Sequence, residues 1–199
     1  MDMIFFDYDG VLVDSLNLCI SSCKFAAKKL NFKGNFPENP YLNLNPVTYH
    51  EVARRLNLDG NEFDRLATSY VNKNLNSLKL FKGAKETLEI LSKKHTLFVI
   101  SSTKKEVVQN SLKNKGILNY FKEIYGGTDI SKQKRLEIYA TKNSIMIGDS
   151  ISDMNAAKGA GVYAIGALWG WQSADMLKDG DVLVKDYAEL LEAIRAFYN

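Results

Sequence analysis

Two pairs of carboxylates have types and spacing that could do chemistry. In Phe6-Asp7-Tyr8-Asp9-Gly10-Val11 two acids flank one residue just beyond a short apolar run. On an extended chain both side chains point the same way. Adjacent carboxylates repel, so such a pair needs a cation, a shared proton or a division of roles. Gly10 lets the backbone turn away at once. The second pair lies in Ile145-Met146-Ile147-Gly148-Asp149-Ser150-Ile151-Ser152-Asp153. Ser150 and Asp153 have the spacing of a capping box, which accounts for Asp153 but not for Asp149, an acid ending an apolar strand. Asp149 beside Asp7 and Asp9 would make an oxygen-rich site suited to magnesium. Two further groups suit a phosphate. Ser101 opens Ser101-Ser102-Thr103 after another apolar run, and its hydroxyl and the N–H groups that start the next helix could bind phosphate oxygens. Lys132 or Lys134 could neutralise the phosphate and part it from the carboxylates. Each has a plainer explanation as well: a helix cap for Ser101, a solvated surface for either lysine.

The elements that must position these residues alternate. Short apolar runs at Met3–Phe6, Thr96–Ile100, Glu123–Tyr125, Ser144–Ile147 and Val162–Ile165 read as buried strands. Helical patterns fill the intervals at about 84–94, 104–115, 133–142 and 151–159, and a last helix, 188–197, sets Leu190, Leu191, Ile194 and Phe197 on one face. That alternation predicts an α/β fold, a Rossmann-like three-layer α/β/α core on a mostly parallel sheet. It is broken once, between residues 15 and 80. All three prolines (Pro37, Pro40, Pro46) fall in that interval, and helices are expected around them at about 15–30, 47–57 and 61–77. Ser15 and Thr48 are plausible start signals, and Leu58-Asp59-Gly60-Asn61 is a turn. The expected division is a core of residues 1–14 and 79–199 with a small helical cap, 15–78. Inserted after the first strand, such a cap would sit over the carboxyl ends of the sheet, where ligands bind in open α/β folds.

Composition narrows the partners. At 199 residues, 46% hydrophobic and 25% charged, the chain has ordinary globular proportions. A net charge of +3 is too small to argue for nucleic acid. Residues 16–78 hold eight Lys/Arg against five Asp/Glu, while the rest holds 18 of each, so the whole excess lies in the cap. A solvated helical surface explains that bias, and an anionic substrate would favour it. No apolar stretch approaches membrane-spanning length, and the apolar run near the start is too short for a signal peptide. The expectations are a cytoplasmic protein with no membrane or nucleic-acid partner, monomeric or weakly dimeric. Cys19 and Cys23 read as buried small residues, and His50 and His95 as surface or packing residues.

Asp7-Tyr8-Asp9-Gly10-Val11, Ser101, Lys132 and Gly148-Asp149-Ser150-x-x-Asp153, in this order and at these strand ends, resemble the four motifs of the haloacid dehalogenase superfamily. The likeness runs over nearly the whole chain and is strongest to the phosphoglycolate-phosphatase-like branch, which Met154–Gly161 and Trp169-Gly170-Trp171 also resemble. The resemblance implies a phosphatase acting on a small phosphorylated metabolite. Asp7 would be the nucleophile, forming an aspartyl-phosphate. Asp9 would be acid and then base. Magnesium would lie on the Asp7 carboxylate, the Asp9 carbonyl and Asp149, with Asp153 as ligand or supporting acid. Gly10, Ser101, Ser102 and Lys132 would surround the phosphate. Lys132 is preferred to Lys134 because Leu136 and Tyr139 then follow at helical spacing, although the Lys-Pro frequent in the family is Lys132-Gln133 here.

Other readings fit less well. True haloacid dehalogenases lack an acid at the position of Asp9. The β-phosphoglucomutase branch usually carries a histidine where Cys19 stands, so hydrolysis is favoured over transfer. A phospho-aspartate receiver module has its acceptor after the third strand and no cap after the first. A degenerate scaffold would lack catalytic residue types that are all present here. Within the cap, Arg54, Arg55 and Arg65 could grip a second anionic group, and Asn43 and Asn45 could contact hydroxyls.

Overall fold

Apolar runs without alternation require cover on both faces of a sheet, and the computed structural model, which describes residues 2–199, supplies it. Strands β1 (Met3–Phe6), β4 (Thr96–Ile100), β5 (Phe121–Tyr125), β6 (Ser144–Gly148), β7 (Tyr163–Ala167) and β8 (Val182–Val184) form one sheet in the order β5-β4-β1-β6-β7-β8. Every pairing in it is parallel. Helices α4 (Ala84–Ser92), α5 (Lys105–Asn114), α6 (Lys132–Tyr139), α7 (Ile151–Gly159), α8 (Ala174–Leu177) and α9 (Tyr187–Tyr198) connect and cover the strands. The expected α/β, Rossmann-like parallel sheet is present. Phe5, Phe98 and Met146 share one face with Leu136 of α6 and Met154 of α7. The Phe5 and Phe98 rings stack there at 4.8 Å.

Strand order reverses at β1, which pairs with β4 on one side and β6 on the other. Beyond the carboxyl ends of these strands lies the crevice where open α/β sheets bind ligands. Asp7, Ser101 and Asp149 each follow one of them directly. Two elements were not foreseen. One is β8 with the short α8 before it. The other is an antiparallel ribbon of β2 (Val13–Asp14) and β3 (Lys79–Leu80), paired Val13 to Leu80 and Asp14 to Lys79.

The chain divides into two units, Ser15–Leu78 and the remainder. The smaller unit is helical, with α1 (Leu16–Lys29), α2 (Tyr49–Arg55) and α3 (Gly60–Asn74). Thr48 caps α2 by accepting from the Glu51 N–H, and Asp59 caps α3 by accepting from the Glu62 N–H. Ser15 precedes α1 without a side-chain cap bond. Small residues line the buried face of α1 (Cys19, Cys23, Ala26, Ala27), which packs chiefly on α3. Both cysteines are buried and neither is in a disulfide. The Tyr41 hydroxyl lies 3.0 Å from the Cys23 sulfur, and burial pushes that thiol up to about 12. Among the described residues no helix is long and apolar enough to cross a membrane.

Candidate active site

Three acids meet at the strand ends. Ligand oxygens of Asp7, Asp149 and Asp153 lie within 4.8 Å of one another, and all three residues are buried. β1 delivers Asp7, whose N–H remains in the sheet by donating to the Ile147 carbonyl at 2.9 Å. Asp7 Oδ1 accepts from the Tyr8 N–H at 2.7 Å. β6 delivers Asp149, whose Oδ2 accepts from the Trp171 N–H at 2.7 Å. Asp153 opens α7, and its Oδ2 takes both the Ser150 N–H (3.1 Å) and the Ser150 hydroxyl (2.7 Å). The capping box expected from Ser150 and Asp153 is present, and the Ser150 hydroxyl in addition donates to Asp153.

Glycines make room for these carboxylates. Gly10 has φ +72°, and a Cβ there would run into the Asp149 carboxylate and the Trp171 ring; a Cβ at Gly170 would also run into Asp149. Two backbones thus approach Asp149 more closely than any side chain would allow.

Lys132 Nζ lies 2.6 Å from Asp7 Oδ2 and 2.6 Å from Asp153 Oδ1, with only 14% of its side chain exposed. Lys134 points elsewhere: its side chain is 63% exposed and pairs with Glu137 on the same helix at 3.1 Å. Burial works against the charged form of Lys132, but Asp153 and Asp7 outweigh it and hold the ammonium well above its ordinary range. For Asp7 burial prevails. Desolvation, with repulsion from Asp153 and Asp9, lifts it to about 7 despite Lys132. Burial and the Asp7 and Asp153 charges push Asp149 well up too. Three dehydrated carboxylates against one ammonium leave a charge deficit that a divalent cation would fill, and an all-oxygen donor set suits magnesium.

Lys132→Met should therefore destabilise the metal-free protein by about 3–5 kcal/mol, because it strands buried charges. Lys134→Met should stay within about 0.5 kcal/mol. Urea denaturation in chelator measures both, and equal effects would contradict the distinction.

The other expected residues fall into different places. The Asp9 carboxylate is outside the acid cluster and accepts from Thr103 Oγ1 at 2.8 Å. Ser101 is buried, with its hydroxyl accepting from the Thr103 N–H at 3.0 Å, while Ser102 is exposed. In the helical unit Arg54 forks onto Glu51, and Arg65 onto Glu62. Arg55 donates to the carbonyls of Leu42 (3.1 Å) and Asn43 (2.7 Å). Asn43, exposed, has φ 57°, and Asn45 is exposed just before Pro46. These arginines thus serve helix surface and loop within their own unit.

Two residues had no part in the sequence reading. Thr103 was one hydroxyl among three in a row. Arg135 is buried although it stands among three cations at the start of α6; its place three residues after Lys132, on the same helical face, was the available signal.

Comparisons with known proteins point one way. The family described as haloacid dehalogenase-like hydrolase matches residues 4–167. A phosphoglycolate phosphatase of Synechococcus elongatus is 26% identical, the match covering 98% of this chain and 97% of that protein. The pyrophosphatase PpaX of Oceanobacillus iheyensis is 23% identical over 96% and 95%. A predicted phosphatase from Clostridium acetobutylicum has the same fold, with TM-score 0.87, 22% identity and 98% of each chain covered.

Proposed function

The chain belongs to the haloacid dehalogenase-like hydrolase family, and from that premise we propose that it is a magnesium-dependent phosphatase working through an aspartyl-phosphate on Asp7. One observation carries the reading. The Asp7 carboxylate, at the switch point of the sheet, is held by Lys132 at 2.6 Å beside two more buried acids. No structural need of a strand end accounts for that cluster.

Asp7 supplies the attacking oxygen. As its new P–O bond forms, the ester P–O bond breaks, its electron pair goes to the leaving oxygen, and Asp9 gives that oxygen a proton. Asp9 then takes a proton from the water that cleaves the aspartyl-phosphate. Asp7, the Asp9 carbonyl and Asp149 would hold magnesium, which draws charge from the phosphoryl oxygens when bound. Asp153 fixes Lys132, whose ammonium balances the phosphate's charge. Ser101 and the backbone around Gly10 and Ser102 line its place.

The substrate in this reading is a small phosphorylated metabolite. The relatives' names include phosphoglycolate and pyrophosphate chemistry, which supports a compact anion. Cys19, buried in α1, stands where the β-phosphoglucomutase branch that the motifs also resemble usually carries a histidine, and that favours water over a second sugar as acceptor. A panel of phosphorylated metabolites containing phosphoglycolate, pyrophosphate, sugar phosphates and nucleotides tests the assignment. Release of inorganic phosphate from at least one of them, dependent on magnesium, is expected. No release from any member would count against a phosphatase.

A further inference from the structure

The geometry points to Thr103 as a positioning residue that holds the Asp9 carboxylate for proton delivery to the leaving group, an inference that rests on the phosphatase reading above. Thr103 Oγ1 donates to Asp9 Oδ2 at 2.8 Å across 94 residues of sequence. A hydroxyl on a mobile loop would be poor support, but this loop is tied on several sides. The Thr103 N–H donates to the Ser101 hydroxyl at 3.0 Å, closing a tight turn at the end of β4. The Thr103 carbonyl accepts from the Gly127 N–H at 2.9 Å, which joins that turn to the loop after β5.

Arg135 binds the same two loops. It is buried, and its guanidinium donates to the Gly126 carbonyl at 3.0 Å and to Asp129 Oδ1 at 2.9 Å, with a longer 3.4 Å contact to the Ser101 carbonyl. A Cβ at Gly126 would collide with the backbone of Thr103 and Lys105, so the loops are already in contact. Burying a guanidinium costs several kcal/mol unless its donors are matched, and here they are spent on the loop after β5, to which the Thr103 carbonyl is bonded, and on the Ser101 carbonyl at the start of the Thr103 turn. The result is a braced turn whose Thr103 hydroxyl donates to Asp9.

Asp9 needs such a brace. Its residue sits in the turn opened by Gly10, beyond the sheet ladder, and a carboxylate free to rotate would seldom meet the leaving oxygen in line. A hydroxyl can donate or accept as its partner requires, and valine can do neither while keeping the same shape.

Three esters of similar size test this. p-Nitrophenyl phosphate expels an anion that needs little protonation, phenyl phosphate needs more, and benzyl phosphate must have its alcohol protonated. Thr103→Val should lower kcat/KM for benzyl phosphate about tenfold or more, within the range general acid catalysis contributes. It should change p-nitrophenyl phosphate by less than about threefold, with phenyl phosphate between, and Thr103→Ser should restore the pattern. Equal losses on all three esters would mean that Thr103 serves the phosphate or the fold, and no loss on any would mean that it serves nothing; either overturns the proposal. Crystals of the two variants give a reading independent of turnover, with Asp9 displaced in the valine form and held in the serine form. An unmoved carboxylate in the valine form also overturns the proposal. If the wild-type protein cleaves none of the three esters, that result weighs on the phosphatase reading, and the crystals still decide the role of Thr103.

Discussion

Asp7→Asn should abolish phosphate release, by about 10⁴-fold or more, while the protein stays folded. The amide keeps the size of the carboxylate and can still accept the Tyr8 N–H that Asp7 Oδ1 accepts. It cannot form an aspartyl-phosphate. The same substitution has a second readout in stability. Burial first, then Asp153 and Asp9, lift Asp7 to about 7, against an ordinary 3.8. Over that interval the folded metal-free protein binds more protons than the unfolded chain. The Asp7 contribution is therefore fully present below about pH 4 and is lost as pH rises through about 7. Asp149, shifted in the same direction, adds to that decline. Asparagine has no proton to lose, so the variant's stability in chelator should fall less steeply between pH 4 and 8, and at pH 8 it should match or exceed the wild type. Thermal melts across that range and turnover of p-nitrophenyl phosphate measure the two effects. Retained turnover would remove Asp7 as nucleophile, and parallel stability curves would contradict its raised pKa.

Removing magnesium should have a comparable effect on activity. Chelation is expected to stop turnover, magnesium to restore it, and calcium not to, since calcium's looser and larger coordination shell misplaces the attacking oxygen. The acid cluster adds a prediction that needs no substrate. Asp7, Asp149 and Asp153 face one another, and Lys132 pairs with two of them, so a divalent ion should bind the folded state far better than the unfolded chain. At a hundred times its dissociation constant it should raise stability by about 2.7 kcal/mol. Asp149→Asn should abolish most of that gain. Turnover in excess chelator, or a melting temperature indifferent to magnesium, would contradict the carboxylate–metal reading.

Much of the sheet was legible because its strands announce themselves. Met3–Phe6 and Ile145–Ile147 are unbroken apolar runs with an acid directly or one glycine beyond them, and an acid after such a run calls for an explanation. β8 was not legible. Val182–Val184 is three residues long, below the length at which periodicity distinguishes a strand, and it exists because β7 offers an edge. The β2–β3 ribbon, two residues on each side, carries no pattern at all.

Within the site the division is similar. Asp7, Asp149 and Asp153 were named from their placement, and Lys132 was chosen over Lys134 from the apolar residues that follow it. Those four side chains lie together. Thr103 could not be picked from Ser101-Ser102-Thr103, because the choice depends on a turn in which Ser101 accepts from the Thr103 backbone. Arg54, Arg55 and Arg65 looked alike as cations on helices. Their partners, Glu51, two loop carbonyls and Glu62, depend on short-range geometry that charge counting does not see.

The position of β1 in the sheet also bears on how the molecule folds. Its residue Met3 pairs with Thr96 on one side and Ser144 on the other, so the central strand has no local partner. Such high contact order slows folding, because the entropy of closing long loops must be met before either pairing contributes. Asp7 and Asp149 hang from β1 and β6, and they cannot approach until that late pairing is made. The acid cluster should then assemble at or after the rate-limiting step. Magnesium should slow unfolding and leave the refolding rate almost unchanged.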